Sequence, residues 1–182
     1  MVKKLIVVGC TLLLTGAVGL TIWDEYSFQH PNFETDGIME VAIYYSLNHS
    51  YHFLLNPNGI LNGTVGEVGN EWRFNLLRGG VYHLRKDIWS NSYIGSIYSS
   101  SEIQLNTSEI KSLIDIANEL QASSRTVLSE PFFNRPWNAS LIYNGNFYSA
   151  GVLDVYQTEI LARLSDEIIK LSPIPVEPPS VV

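Results

Sequence analysis

Two groups of side chains have types and spacings that could do chemistry. The first is His49-Ser50-Tyr51-His52. Two histidines three residues apart can converge on a metal from a turn or helix, but in a strand they point to opposite faces. No carboxylate lies close by in the chain, so strand or turn histidines are the expectation. The second group is basic. Arg73, Arg78, Arg85 and Lys86 fall in a stretch without an acid, inside an acidic protein. If the strands flanking Arg78-Gly79-Gly80 pair through a three-residue loop, Leu76 meets Tyr82 and Phe74 meets Leu84. Arg73, Asn75, His83 and Arg85 then share the polar face. Such a face suits the carboxylate or phosphate of an anionic ligand or of a protein partner. The plainer role is a solvated sheet face neutralised by acids elsewhere in the chain.

Other chemistry finds little support. No G-x-S-x-G elbow or other local nucleophile signature is present. Asp166 and Glu167 are neighbours on a predicted helix and face different directions, which does not suggest a carboxylate pair. Gly63, Gly66 and Gly69 recur every three residues but precede a strand, where a phosphate-binding loop would need strand then helix. Bulges or turns are their expected use. Cys10 is the only cysteine, so no internal disulfide, no cysteine-based metal site and no thiol enzyme in the body is expected. No cofactor is implied, and no catalytic residue can be named.

These groups need elements to position them. Val41, Ile43, Tyr45 and Leu47 alternate with more polar residues as a strand, and Tyr51 to Leu55 is a second. Asn56-Pro57-Asn58-Gly59 is a turn, with Ile60 to Thr64 returning. Trp72 to Leu77 and Val81 to Lys86 form the basic hairpin, and an irregular edge strand is expected near Tyr93 to Tyr98. Asn106 and Glu109 make a capping box, with Leu105 stapled to Ile110, before a helix to about Gln121. Trp137 to Tyr143 and Phe147 to Ala150 flank Asn144-Gly145, a strong hairpin signal. A last amphipathic helix runs from about Val155 to Leu171. This order predicts an α+β domain: an antiparallel sheet of hairpins with two amphipathic helices on one face, after an N-terminal hydrophobic helix.

Leu5 to Trp23 is nineteen residues without a charge, preceded by Lys3 and Lys4 and followed by Asp24 and Glu25. A helix of that length reaches about 28 Å, close to the hydrocarbon thickness of a bilayer. The charges put the N-terminus in the cytoplasm and the body outside. Leu5, Leu14 and Trp23 are the expected membrane contacts, Trp23 at the interface. Four readings are open: an uncleaved signal anchor, which the length favours; a signal peptide cleaved near Ala17-Val18-Gly19; lipidation at Cys10, which sits too early in the run; and a buried core helix, which the lack of any polar face disfavours. The expected organisation is 1–23 as anchor or signal peptide, 24–37 as tether, 38–172 as one domain, and 173–182 as a mobile proline-rich tail.

The chain of 182 residues carries a net charge of −7, and without the two leader lysines the body is more acidic still. That argues against nucleic-acid binding, which rests on neutralising phosphates. The segments IQLNTSEIKSLIDIANEL, WNASLIYNGNFYSAG and LSPIPV, within residues 102–176, resemble small exported, membrane-anchored bacterial proteins of unknown function. The resemblance implies export and a tethered α+β domain, and carries no site residue. The functional expectation is a membrane-tethered or secreted envelope protein, a binding or interaction module without enzymatic activity. An envelope hydrolase with an unrecognised site and an inhibitor or immunity-type protein are the alternatives.

Overall fold

Alternating apolar residues build the main sheet. The computed structural model describes residues 2–29, 35, 37–46, 49–85, 94–123, 138–150 and 153–177. In chain order the elements are α1 (Val2–Gln29), β1 (Met39–Ser46), β2 (His49–Leu55), β3 (Ile60–Val68), β4 (Asn70–Asn75) and β5 (Gly80–Arg85). They continue with β6 (Ile94–Gln104), α2 (Thr107–Ala122), β7 (Asn138–Tyr143), β8 (Asn146–Ser149) and α3 (Val155–Leu171). A 3₁₀ turn, Leu76–Arg78, separates β4 from β5. The protein is thus α+β; its described residues form three helices, the β4–β5 hairpin and a six-stranded antiparallel sheet ordered β6-β3-β2-β1-β7-β8. The expected Leu47, Lys86, Tyr93 and Trp137 lie outside the described residues.

The chain divides into two compact units: Met1–Asn32 with Asn70–Arg85, and Phe33–Gly69 with Lys86–Val182. In the larger unit one alternation of the sheet is the core. Met39, Val41, Ile43, Tyr51, Phe53, Leu55, Leu61, Leu141 and Tyr143 cluster with Leu113, Ala117 and Leu120 of α2 and with Ile160, Leu161, Leu164 and Ile168 of α3. Burying each Val, Leu, Ile, Phe or Met side chain contributes roughly 1.5–3 kcal/mol, so this cluster holds the unit together. The helix ends are set locally. Asn106 accepts from the Ser108 and Glu109 amides while Glu109 reaches back to the Asn106 amide, the expected capping box. Asp154 caps α3 by accepting from the Gln157 amide.

Glycine is required where backbones meet. β3 and β6 slip register between Val65 and Gly66, and a Cβ on Gly66 would lie 2.1 Å from the Ser96 carbonyl oxygen. Gly66 therefore serves a bulge, one of the uses expected of this glycine run. At Gly63 a Cβ would lie 3.0 Å from Pro173 Cγ. The first part of the tail crosses there, with Ile174 buried and the Glu177 amide donating to the Tyr51 hydroxyl at 3.1 Å. The tail is therefore packed through this stretch, because Ile174 joins the core.

The smaller unit joins α1 to the β4–β5 hairpin. α1 continues six residues past Trp23, so the first turn of the expected tether is helical. Its side chains are described from Cys10 to Ser27, and Leu12, Leu13, Leu14, Leu20, Ile22 and Trp23 are all exposed. Among the described residues no helix is long and apolar enough to cross a membrane. The uncharged run itself begins at Leu5, within the helix but before the described side chains.

The hairpin register differs from the expected one. Arg73 pairs with Tyr82, Phe74 with Val81 and Asn75 with Gly80. Four residues, Leu76 to Gly79, form the loop. Asn75 Oδ1 caps the 3₁₀ turn by accepting from the Leu77 amide, and Gly79 and Gly80 take φ of 87° and 103°. A shift by three residues reverses the pleat. Arg73 and Asn75 now share one alternation, while His83 and Arg85 pair with Trp72 and Asn70 in the other. The expected separation of apolar from polar faces fails because the hairpin meets α1 through polar groups.

Candidate functional site

Of the four residues expected to bind an anion, Arg73 and Asn75 turn to α1. Arg73 Nη1 donates to Asp24 Oδ1 at 3.3 Å and to Ser27 Oγ at 3.2 Å. Asn75, fully buried, donates to Asp24 Oδ2 at 2.7 Å and to Glu25 Oε1 at 2.6 Å. The acids that these donors hold are therefore the chain's own. The side chains of His83 and Arg85 lie outside the described residues, as does that of Leu5.

The histidine pair also separates. His49 Nε2 lies 2.8 Å from the Tyr51 hydroxyl, and His52 Nε2 lies 2.7 Å from Glu40 Oε1. The two rings belong to opposite alternations of β2, as a strand demands. Burial pushes the Tyr51 phenol above its ordinary pKa. Among the described residues no group of three His, Cys, Asp or Glu could hold a metal ion.

The arrangement with most to offer lies on the alternation of the sheet opposite the core. The register aligns His52, Thr64 and Ser100 in one row across β2, β3 and β6, and Leu54, Asn62 and Glu102 in the next. These residues, with Gly63 and Ser101, line an open cleft of about 520 Å³. Glu40 stands behind His52 and orients its ring; both side chains are largely buried. Carboxylate, imidazole, carboxamide and hydroxyls together offer donors and acceptors for a polar ligand. A carboxylate–imidazole pair is also the positioned half of a general-base system. Among the described residues, however, no hydrogen bond links His52 to the hydroxyl of Thr64 or Ser100.

The cleft opens at the outer strand. β6 is eleven residues long, ends the sheet, and is exposed from Gly95 to Gln104. Ile97, Tyr98 and Ile103 stand exposed on it. Among the described residues no strand pairs with its outer side. Proteins usually shorten, charge or cover such an edge, because its free amides and carbonyls template another strand. The sequence signalled a strand near Tyr93 to Tyr98 but not its continuation to Gln104, since serines at 99–101 carry no apolar alternation. The Glu40–His52 contact was also unseen; pairing β1 with β2 as a hairpin would have placed Glu40 beside Leu54, diagonal to His52.

No family model matches the chain, and comparison with curated proteins and with solved structures finds none similar.

Proposed function

We propose that the chain is a membrane-tethered, extracytoplasmic interaction module without enzymatic activity, whose sheet receives an extended peptide segment along β6. The observation that carries the reading is the outer strand itself: eleven residues, exposed, with apolar side chains on it and a polar cleft beside it. In strand addition the free main chain supplies affinity, and side-chain positions next to the edge supply specificity. Here Ser100, Ser101 and Glu102 of β6 itself, next to the edge, would read the incoming side chains. Tethering is supported by α1, which runs unbroken from the basic end through the uncharged stretch to Asp24 and keeps Leu12, Leu13, Leu14 and Leu20 exposed. The acidic net charge fits a protein partner better than a nucleic acid.

The test is a selection of displayed peptides on the full chain in detergent micelles, followed by amide hydrogen exchange. Bound peptides should protect residues 94–104 above all others. Protection confined to other segments, or the absence of any selectable peptide, would exclude strand addition at β6.

One observation favours a second reading, an envelope hydrolase: the Glu40–His52 pair at 2.7 Å with Thr64 and Ser100 in the same row. Under that reading ester or amide hydrolysis by the purified chain should vanish in His52→Ala and drop in Glu40→Gln. Activity unaltered in both would remove it.

A further inference from the structure

The smaller unit combines a polar seam with an apolar tip. Moving along β4 from Arg73 to Leu76, the partners on α1 move from Ser27 and Asp24 back to Thr21. The strand therefore runs antiparallel to the helix, and its tip points towards the uncharged run. Thr21 fixes the depth. Its hydroxyl donates to the Ala17 carbonyl at 2.9 Å and accepts the Leu76 amide at 3.0 Å. Thr21 precedes Asp24, the first charge after the run, by three residues, or about 4.5 Å of helix. At the tip Leu76 is 49% exposed, Leu77 81% and Val81 67%.

We infer that Leu76 and Leu77 insert into the headgroup–acyl boundary of the lipid bilayer that α1 enters, so that the hairpin clamps the helix at the membrane surface. The inference rests on the reading of α1 as a membrane anchor. If the run from Leu5 to Trp23 lies in the bilayer, a tip bonded to Thr21 sits at the edge of the headgroup–acyl boundary in which interfacial segments bury their apolar faces. The charges at that level are already matched. Asp24 holds Arg73, and Glu25 holds Arg78 at 3.3 Å. An acid near the boundary is costly unless it is paired and hydrogen-bonded, and the hairpin supplies that pairing. Trp23, exposed beside this level, is a residue type that favours the same boundary.

The experiment uses the full chain with Cys10→Ser and a single environment-sensitive dye on Leu77→Cys, in vesicles of phosphatidylcholine and phosphatidylglycerol. A second protein carries the dye on Lys111→Cys, on an exposed position of α2. Both should float with the vesicles. The dye at 77 should brighten several-fold, shift to the blue and be quenched by lipids spin-labelled near the headgroup, while the dye at 111 should do none of these. If the chain floats but the dye at 77 behaves like that at 111, tip insertion is overturned and the anchor stands. A dye at 77 that shifts but is not quenched reports protein contact and overturns it too. Failure to float overturns both the anchor and the tip.

Discussion

Asp24→Ala should release the β4–β5 hairpin from α1 while leaving the larger unit folded. The carboxylate is 2% exposed and accepts from Arg73 at 3.3 Å and from Asn75 at 2.7 Å. Its removal takes a charged acceptor from a guanidinium only 17% exposed and from a buried carboxamide. Taking one partner from a buried pair costs about 3–5 kcal/mol. Arg73 retains Ser27 and Asn75 retains Glu25, so the lower end applies, about 3 kcal/mol. At roughly 1.4 kcal/mol per decade, hairpin amides should exchange about a hundredfold faster through local opening. Hydrogen exchange with mass spectrometry on peptides covering residues 70–85 reads this directly, with the full chain in detergent. Asp24→Asn, which keeps one acceptor and loses the charge, should fall between. Lys111→Ala breaks a pair whose side chains are 75% and 59% exposed and should change stability by no more than about 0.5 kcal/mol. Unchanged hairpin exchange in Asp24→Ala would refute the view that the polar seam, rather than apolar contact, holds the hairpin.

Gly66→Ala places a methyl group against the Ser96 carbonyl and should destabilise the larger unit by about 1–3 kcal/mol, read by urea unfolding; a neutral result would mean that the bulge relaxes freely. Stability should also fall in alkali. Burial raises the Tyr51 and Tyr148 phenols above their ordinary pKa, so the unfolded chain ionises first. The contribution is complete below pH ~10 and is lost as pH rises through the raised folded values. The unfolding midpoint should decline over that window in the wild type and less steeply in Tyr51→Phe with Tyr148→Phe; identical slopes would show that these phenols are not the cause.

The local signals proved reliable where a few adjacent residues decide the backbone. The capping box at Asn106 and Glu109 forms as read, and Asn144-Gly145 turns with both residues at positive φ, 50° and 71°. α3 occupies Val155–Leu171, as its apolar stripe required. Reading failed where a distant partner decides. Arg73 and Asn75 face α1 because Asp24 and Glu25 wait there, some fifty residues earlier in the chain. A rule that turns apolar residues inward cannot anticipate a polar interface. Ile174 likewise reads as part of an extended tail until Gly63 opens a place for it. Of the candidate cleft only the histidines stood out. Its hydroxyls and acids come from three strands and become neighbours only through register.

Anchoring by α1 with the body outside the cytoplasm is tested most directly by fusing a reporter enzyme that matures only outside the cytoplasm after Val182, beside a matched fusion to a reporter that functions only inside. The first fusion should be active and the second silent, with the protein retained in the membrane fraction after alkaline carbonate. Activity of the cytoplasmic reporter with release into the carbonate supernatant would contradict it.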